Sequence, residues 1–390
     1  MVKVVSVLAF YFLIVSSCAG QVKPVLYRDT VFSAVRVEPD LAYRSPLPAG
    51  KAGRAYHFDL YEPSEGAAPE PAGPAVSGSG SLPIARDAAA GAGTPADSAG
   101  TRADNAGTPA ASTRASGRPL IIWMHGGGFR FGSRKAAGAR FWCTGFARRG
   151  YLCASIDYRM TVKKTLTSFP ALVKGCSIAV EDAREAIAYF KANYKRWNID
   201  TNCIILGGNS AGGIIALQTA YSRPADLLKL EGDTAQSTAG YPGARATSGP
   251  GIAGGSGPIT SPGGSGLVTL PGNIAAVINF WGAIFETRWL NNARVPIVSV
   301  HGSNDHIVSP GRKGEHFFGS LPIHWEADSL SIPNRVKIYD GYSHELQKHF
   351  NPFFAGRAPK RRWQEAGQFA ADFLYEEVIA KGVVASIPIR

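Results

Sequence analysis

The chain has 390 residues, of which 45% are hydrophobic, enough for one large core or two small ones. Its formal net charge of +12 raises the question of a nucleic acid or another anionic partner. The basic residues are scattered, apart from short groups such as Arg148-Arg149 and Lys360-Arg361-Arg362, and no basic stripe is interleaved with aromatic residues. This distribution favours a solvated surface and argues against nucleic-acid binding.

The N-terminal residues have the pattern of a secretory signal. Lys3 precedes an apolar run from Val4 to Val15, which is too short to span a bilayer comfortably. The following VSSC resembles a bacterial lipobox, which would leave a lipidated Cys18, whereas cleavage after Gly20 would leave a soluble protein. A cysteine among small residues directly after the apolar run favours the lipoprotein. We therefore expect residues 1–20 to be a signal peptide, with membrane attachment through Cys18 and an extracytoplasmic location.

The remaining cysteines would lie in an oxidising compartment; they are Cys143, Cys153, Cys176 and Cys203. They allow three complete pairings, and the sequence does not choose among them. Cys153 and Cys203 stand in apolar, strand-like runs, a setting that favours buried free thiols. No spacing resembles a zinc site, and we expect neither a metal nor another cofactor.

Two segments differ from the rest of the chain in composition. Residues 64–117 are rich in small residues and proline, lack aromatic residues and contain the repeat AGTPADS, AGTRADN, AGTPAAS. Residues 232–266 are similar in character. Neither segment can bury enough apolar surface to offset the entropy lost on ordering, so we expect two disordered insertions. Long loops add little closure entropy, so a single domain over residues 21–390 can carry both.

Outside these insertions, short apolar runs alternate with helical patterns. We predict strands at residues 56–63, 118–128 (ending in a glycine loop), 151–159, 202–210, 273–282, 294–302 and 335–341, and helices at 134–149, 176–197, 211–222 and 363–380. Such alternation predicts an α/β fold with a mostly parallel sheet and helices on both faces. Only about a dozen residues separate Trp281 from the VPIVSV run, too few for a large cap, so we expect an open site.

A small-residue turn, Gly208-Asn209-Ser210-Ala211-Gly212, follows a predicted strand and opens a predicted helix. This is the pattern of a nucleophile elbow, in which a serine occupies a strained turn that leaves no room for bulky neighbours. The helix starting at Ala211 would offer backbone N–H groups and its positive dipole end to a developing anion. The alternative is a glycine-rich turn without a chemical role, but the strand–turn–helix context favours a nucleophilic Ser210.

The loop HGGGF, residues 125–129, follows the first long buried strand. Consecutive glycines let the backbone approach a substrate closely and direct N–H groups at an oxyanion, although a flexible turn is the alternative. We expect His125 to anchor this loop and not to act as a base. The basic residues that follow, Arg130, Arg134 and Lys135, could line a rim of the site, but a solvated helix face is favoured.

A serine nucleophile on such an elbow requires an acid and then a base later in the chain. His57 and His125 precede Ser210, so this order excludes them. His344 lies in the loop directly after the last predicted strand, where the base is expected. His349, five residues further on, is the alternative, and we favour His344.

For the acid, Asp305 follows the penultimate predicted strand. Asp340 is too close in sequence to His344 for the usual arrangement, and Asp328 stands in an irregular stretch. Asp305 could also be a turn-forming residue of the SND sequence. We favour Asp305 as the group that holds His344 in the right tautomer and stabilises the imidazolium.

The segments HGGGF, IDYR, EDAREAI, GNSAGG and HGSND together resemble the α/β-hydrolase carboxylesterases. The similarity is closest to the HGGG-loop branch, which includes hormone-sensitive-lipase-like and bacterial feruloyl- or acetyl-esterase-like enzymes, and it covers roughly residues 55–379 apart from the insertions. The resemblance implies ester hydrolysis without a metal, with Gly127, Gly128 and Ala211 as oxyanion donors. Asn209 departs from the pattern, because many members carry an acidic residue there.

We therefore expect a serine carboxylesterase that hydrolyses small-molecule or polymer-bound esters through an acyl-enzyme. An amidase or peptidase on the same fold stays open, because the same triad also cleaves amides. A non-catalytic binding protein is disfavoured, since such proteins usually lack a member of the triad.

Overall fold

A computed structural model describes residues 23–47, 49, 55–65, 117–161, 168–239, 273–351 and 357–382; for 234–239 and 357–358 the description is limited to the backbone. The expected signal peptide with Cys18 lies outside the described residues, as do residues 66–116 and 240–266 of the expected insertions. Within the described ranges, no helix is both long enough and apolar enough to cross a membrane.

An eight-stranded sheet forms the centre of the domain, in the order β1-β2-β4-β3-β5-β6-β7-β8. The strands are β1 (Ala34–Ala42), β2 (His57–Ser64), β3 (Arg118–Met124), β4 (Leu152–Ile156), β5 (Ile199–Asn209), β6 (Ile274–Phe280), β7 (Ile297–Gly302) and β8 (Asn334–Tyr339). β2 pairs antiparallel with both β1 and β4, and all other neighbouring strands pair in parallel. The predicted mostly parallel sheet is thus confirmed.

The central strands are buried on both faces, which is why they appear in the sequence as continuous apolar runs. Successive side chains of β3 alternate between two cores. Leu120, Ile122 and Met124 join the core on one face, while Ile121 and Trp123 join the core on the other. Both faces therefore need a helical layer.

Helices supply that layer on both sides, as predicted. They are α1 (Ala137–Ala147), α2 (Phe169–Ala192), α3 (Ala211–Tyr221), α4 (Pro224–Ala239), α5 (Ser320–Ser329) and α6 (Arg357–Leu374), with a short turn at Tyr194–Trp197, 3-10 turns at Thr287–Asn292 and His344–Leu346, and a π-helical turn at Tyr375–Ile379. α1 and α6 pack on the face that carries Trp123, and the buried residues of the other four helices join the opposite core. The β6–β7 connection is described throughout and contains only the 3-10 turn Thr287–Asn292, so no large cap is inserted there.

Three elements are not predicted correctly by the sequence patterns. β1 is a partly exposed edge strand with charged residues, and α5 has no regular apolar stripe, so neither carries a strong signal. The second insertion is expected to begin at about residue 232, but α4 continues to Ala239. Because Leu227 and Leu230 are buried against the core, tertiary packing supports a helix that composition alone does not predict.

The cysteines at positions 143, 153, 176 and 203 are all buried, and no disulfide joins any of them within the described residues. The prediction of buried thiols outside any disulfide is therefore confirmed at Cys153 and Cys203. Burial raises the pKa of both Cys143 and Cys176, which keeps these thiols protonated and unreactive.

Candidate active site

Ser210 occupies the sharp turn between β5 and α3. Its φ of 56° and ψ of −121° lie in a region that non-glycine residues rarely adopt. The Ser210 N–H donates to the Phe280 carbonyl at 2.8 Å, and the Ser210 carbonyl accepts from the Ile214 N–H at 3.0 Å. β6 and the first turn of α3 thus hold the strained conformation that the elbow pattern requires.

The glycines on either side of Ser210 allow α3 to approach β3. A Cβ atom on Gly208 would lie 2.3 Å from the carbonyl carbon of Gly212. A Cβ atom on Gly212 would lie 2.0 Å from the carbonyl oxygen of Met124. Both contacts are with backbone, which cannot move aside cheaply, so close packing requires glycine at these two positions.

The fold brings Ser210, His344 and Asp305 into one hydrogen-bonded chain. The distance from His344 Nε2 to Ser210 Oγ is 3.0 Å, and that from His344 Nδ1 to Asp305 Oδ2 is 2.6 Å. All three residues are buried. Because an ionised carboxylate only accepts hydrogen bonds, Nδ1 carries the proton and Nε2 is available to accept the serine hydroxyl proton. The geometry is therefore that of a nucleophile with a positioned base.

The rejected candidates lie elsewhere. His349 is exposed, and no contact within the described residues joins it to the triad. Asp340 accepts a hydrogen bond from Ser303 at 3.0 Å. Asp328 accepts one from the Asn334 side chain at 2.7 Å. Each of these aspartates therefore has a local partner away from Ser210.

The Asp305 carboxylate accepts hydrogen bonds on both oxygens. Its Oδ1 accepts the N–H groups of Ile307 and Val308, each at 3.0 Å. Its Oδ2 faces His344 and also lies 3.4 Å from His301 Nε2. Burial by itself would raise the pKa of Asp305, but hydrogen bonds from His301 and His344 hold that pKa far below its usual range. Asp305 is thus kept ionised and able to stabilise an imidazolium on His344.

His301 is a residue of this site that the sequence patterns do not identify. It is fully buried, with Nε2 2.8 Å from the Val308 carbonyl and Nδ1 2.8 Å from Ser320 Oγ. Since the carbonyl can only accept, Nε2 carries a proton and the Ser320 hydroxyl donates to Nδ1. The only sequence signal is its spacing, four residues before Asp305 at the end of a strand.

α6 holds the loop that carries His344. Glu345 and Leu346 both have positive φ, 56° and 57°. Trp363 Nε1 donates to the Glu345 carbonyl at 2.8 Å, and Arg362 Nε donates to the Leu346 carbonyl at 2.7 Å. These bonds satisfy the backbone of a strained turn and so support the position of His344.

The glycine loop lies beside Ser210. A Cβ atom on Gly126 would be 3.4 Å from the Ser210 Cβ. Gly127 and Gly128 have φ values of 123° and 61°, and a Cβ on Gly127 would lie 2.0 Å from the Phe131 carbonyl oxygen. Position 127 therefore requires glycine, and the positive φ at position 128 favours it. The roles of Gly127, Gly128 and Ala211 as oxyanion donors stay a prediction.

His125 has the contacts of an anchor. Its Nδ1 lies 2.7 Å from the Gly126 carbonyl, and its ring stacks on Tyr158 with centroids 4.4 Å apart. The Tyr158 hydroxyl donates to the His125 carbonyl at 2.8 Å. Burial lowers the pKa of His125, so its imidazole is neutral.

The basic residues after the loop separate into two groups. Arg130 and Lys135 are exposed, whereas Arg134 is buried, which corrects the expectation of a rim or a solvated face at that position. The Arg134 guanidinium pairs with three carboxylates, those of Asp40, Asp59 and Asp157. These acids come from β1, β2 and the end of β4, so Arg134 joins the sheet edge to the glycine loop.

The sheet order, the serine elbow after β5 and the acid and base after β7 and β8 define the α/β-hydrolase fold. Residues 108–242, about a third of the chain, match the model of the BD-FAE family. The chain is also similar to Gut esterase 1 of Caenorhabditis elegans, at 28% identity over 109 residues (28% of this chain, 19% of the relative). It is 37% identical over 134 residues to Probable carboxylesterase 6 of Arabidopsis thaliana (32% of this chain, 37% of the relative).

The chain thus matches only 19% and 37% of the lengths of these two curated relatives. A solved structure of Thermogutta terrifontis esterase 2, phosphorylated by paraoxon, is 17% identical, with a TM-score of 0.47 over 88% of this chain and 95% of that one. The family and sequence matches confirm the resemblance to α/β-hydrolase carboxylesterases. The relatives that match are carboxylic ester hydrolases. Assignment to the HGGG-loop branch stays a prediction.

Proposed function

We propose that this protein is a serine carboxylesterase, with Ser210 as nucleophile, His344 as base and Asp305 as acid. The observation that carries the proposal is the hydrogen-bonded chain from Asp305 through His344 to Ser210 Oγ, built on a strained elbow. Similarity to curated carboxylesterases over about a third of the chain supports an ester as the substrate, either a small molecule or a polymer-bound ester.

In the first step, Ser210 Oγ attacks the ester carbonyl carbon while its proton moves to His344 Nε2. The backbone N–H groups of Gly127, Gly128 and Ala211 stabilise the resulting oxyanion, and loss of one such donor typically costs about 3 kcal/mol of barrier. The alcohol then leaves with the proton from His344, and the acyl group stays on Ser210.

In the second step, water loses a proton to the same His344 nitrogen as it attacks the acyl-enzyme. A second tetrahedral oxyanion occupies the same backbone donors. It collapses to the acid as His344 returns the proton to Ser210 Oγ, which leaves as the free hydroxyl. The ionised Asp305 stabilises the imidazolium in both steps, and the depressed pKa of Asp305 supports this role.

The direct test replaces the nucleophile. We expect Ser210→Ala to lower hydrolysis of p-nitrophenyl acetate by at least about a thousandfold. Ser303→Ala is the matched control, because Ser303 bonds Asp340 and lies outside the triad. A fluorophosphonate probe should label the unaltered protein and not the Ser210 variant. Retained activity in a folded Ser210 variant, or absence of labelling of the unaltered protein, would disprove the assignment.

The ester preference and the location need separate measurements. Turnover of an ester and of its matched anilide compares carboxylesterase with amidase activity, and we expect the ester to be favoured strongly.

We also propose that the protein works outside the cytoplasm, supported by Lys3 and the apolar run Val4–Val15. The mass of the mature N-terminal peptide decides between a lipidated Cys18 and a free Gln21.

A further inference from the structure

Two short basic groups, separated by more than 200 residues in sequence, meet on one face of the fold. Arg148 and Arg149 follow the end of α1, and Lys360 lies in the first turn of α6. With Arg140 they line an open groove of about 1000 Å³ between these helices. Glu365 is the single acidic residue of that lining. The fold therefore concentrates positive charge that the sequence shows only as scattered residues.

This charge is poorly compensated. Arg140, Arg148 and Lys360 are exposed, and none of them pairs with an acid in the part of the chain that the structure describes. Glu365 lies 3.4 Å from Arg361 Nε, so its charge is already partnered. Among the described residues, the Arg149 side chain donates hydrogen bonds to the neutral oxygens of Arg28, Gly145 and Gln368. Burial lowers the pKa of Arg149, and the more distant carboxylates of Asp372 and Asp29 offset this only in part. The groove is thus open to an external anion.

Exposed aliphatic side chains lie beside these cations. The N-terminal segment Val25–Phe32 runs along the end of α1, where the Tyr27 N–H donates to the Arg149 carbonyl at 2.7 Å and the Val31 N–H donates to the Arg148 carbonyl at 2.9 Å. On that segment Leu26 is 43% exposed and Val31 is 44% exposed. Aliphatic side chains among unpaired cations are typical of proteins that bind the membrane interface.

We propose that the face formed by Leu26, Val31, Arg140, Arg148 and Lys360, the basic face, docks on an anionic phospholipid bilayer. Arg140 and Arg148 are separated by about 12 Å along the helix direction, so they suit several headgroups better than a single phosphate. Each cation near an anionic membrane contributes on the order of 1 kcal/mol. The proposal is independent of the esterase assignment, because none of these residues belongs to the triad or to the glycine loop.

The N-terminal segment that contributes to the basic face also favours a membrane as the partner. The segment Val25–Phe32 continues from the predicted signal and Cys18, so a lipid attached there would bring the same face to the membrane. A lipid chain and a basic surface acting together bind a bilayer more firmly than either does alone.

The test is sedimentation with phosphatidylcholine vesicles, with and without about 30% phosphatidylglycerol. We expect the full chain to bind the anionic vesicles at least about tenfold more tightly than the neutral ones, and to lose this preference at about 0.5 M salt. Binding to neutral vesicles measures the contribution of the N-terminal segment. An equal affinity for both vesicles would overturn the proposal.

Two triple variants of equal charge change localise the effect. Arg140→Glu, Arg148→Glu and Lys360→Glu together should remove most of the anionic preference, at least about tenfold. The control triple, Lys174→Glu, Lys229→Glu and Lys313→Glu, changes exposed lysines on other elements and should keep it. An equal loss in both triples would show an effect of net charge alone and would contradict docking through this face.

A soluble polyanion is the competing partner. Val31→Ser should weaken binding to anionic vesicles and leave binding to heparin unchanged. Tight heparin binding without vesicle binding, or vesicle binding that Val31→Ser does not affect, would overturn the membrane proposal. Hydrolysis of a soluble ester should be unchanged in every one of these variants, so failure of this proposal is distinguishable from failure of the esterase assignment.

Discussion

His301 Nε2 lies 3.4 Å from Asp305 Oδ2, so the acid of the candidate triad faces two imidazoles. The same nitrogen is 2.8 Å from the Val308 carbonyl, whose N–H in turn donates to Asp305 Oδ1. His301 thus ties the strand β7 to the turn that orients the carboxylate. We regard it as a positioning residue for Asp305.

His301→Leu should lower kcat/KM for an ester by about ten- to a hundredfold, with little change in KM. The loss of a donor leaves the Asp305 carboxylate more basic, so it holds the His344 proton more strongly and the acid limb of the pH profile moves to higher pH. Glu345 is the other ionisable group near His344 and Asp305, and it is unchanged in this variant.

His324→Leu is the matched control for His301, because His324 is also buried but bonds Asn334. Its kcat/KM and pH profile should stay as in the unaltered protein. A purely structural role for His301 would lower the melting temperature without moving the acid limb.

Asp305→Asn should lower kcat by about ten-thousandfold, because an amide can donate to His344 Nδ1 and so favours the wrong imidazole tautomer. Burst kinetics with p-nitrophenyl acetate measure the acylation step directly. Asp340→Asn is the control, since Asp340 lies outside the triad and bonds Ser303. Similar losses in both variants would contradict the assigned role of Asp305.

Gly212→Ala should destabilise the fold by about 2–4 kcal/mol and impair the site, because its Cβ would lie 2.0 Å from the Met124 carbonyl oxygen. Gly232→Ala is the matched control: it lies in α4, and no described atom outside its own helix backbone lies within 4 Å of the added Cβ. Replacing a helical glycine there should stabilise the fold by about 0.5–1 kcal/mol. Urea unfolding measures both, and a Gly212 variant as stable as the unaltered protein would refute the packing argument.

Arg134→Met should cost about 3–5 kcal/mol of unfolding free energy, because it leaves the buried carboxylate of Asp59 and the partly buried carboxylate of Asp157 without their cation. Burial by itself would lower the pKa of Arg134, but the two carboxylates raise it, so the guanidinium stays charged. Arg361→Met tests an exposed pair with Glu365 and should cost less than about 1 kcal/mol. If the two variants lost similar amounts of unfolding free energy, the stabilising role of the Arg134 ion pairs would be refuted.

Stability should fall as the pH drops from about 6.5 to about 4, in part because of His324. Burial lowers the pKa of His324 from 6.5 to about 4. Between these pH values the unfolded chain binds a proton at this histidine that the folded protein does not. The contribution of His324 to the free energy of unfolding is therefore complete above pH 6.5 and has fallen by about 3 kcal/mol at pH 4. Unfolding free energies across this range should show a smaller slope for His324→Gln. The same change at exposed His306 should leave the slope as it is.

Much of the architecture could be predicted because its causes are local. The buried strands appear as apolar runs, and the turn around Ser210 has its glycines two positions either side. The chain order of Ser210, Asp305 and His344 selected the residues that the fold then brings within hydrogen-bond distance. β1 and α5 were missed because a half-exposed edge strand and a short helix without an apolar stripe leave weak patterns.

The sequence by itself determined the order of the elements, the small residues of the elbow and the glycine loop, since backbone geometry restricts which residues fit there. Only the tertiary structure decided that His301 supports Asp305, that Arg134 is buried among three acids, and that Arg148 and Lys360 share a face. These relationships join side chains from different strands and helices. Their energies depend on distance and burial in the folded chain, which local sequence periodicity does not encode.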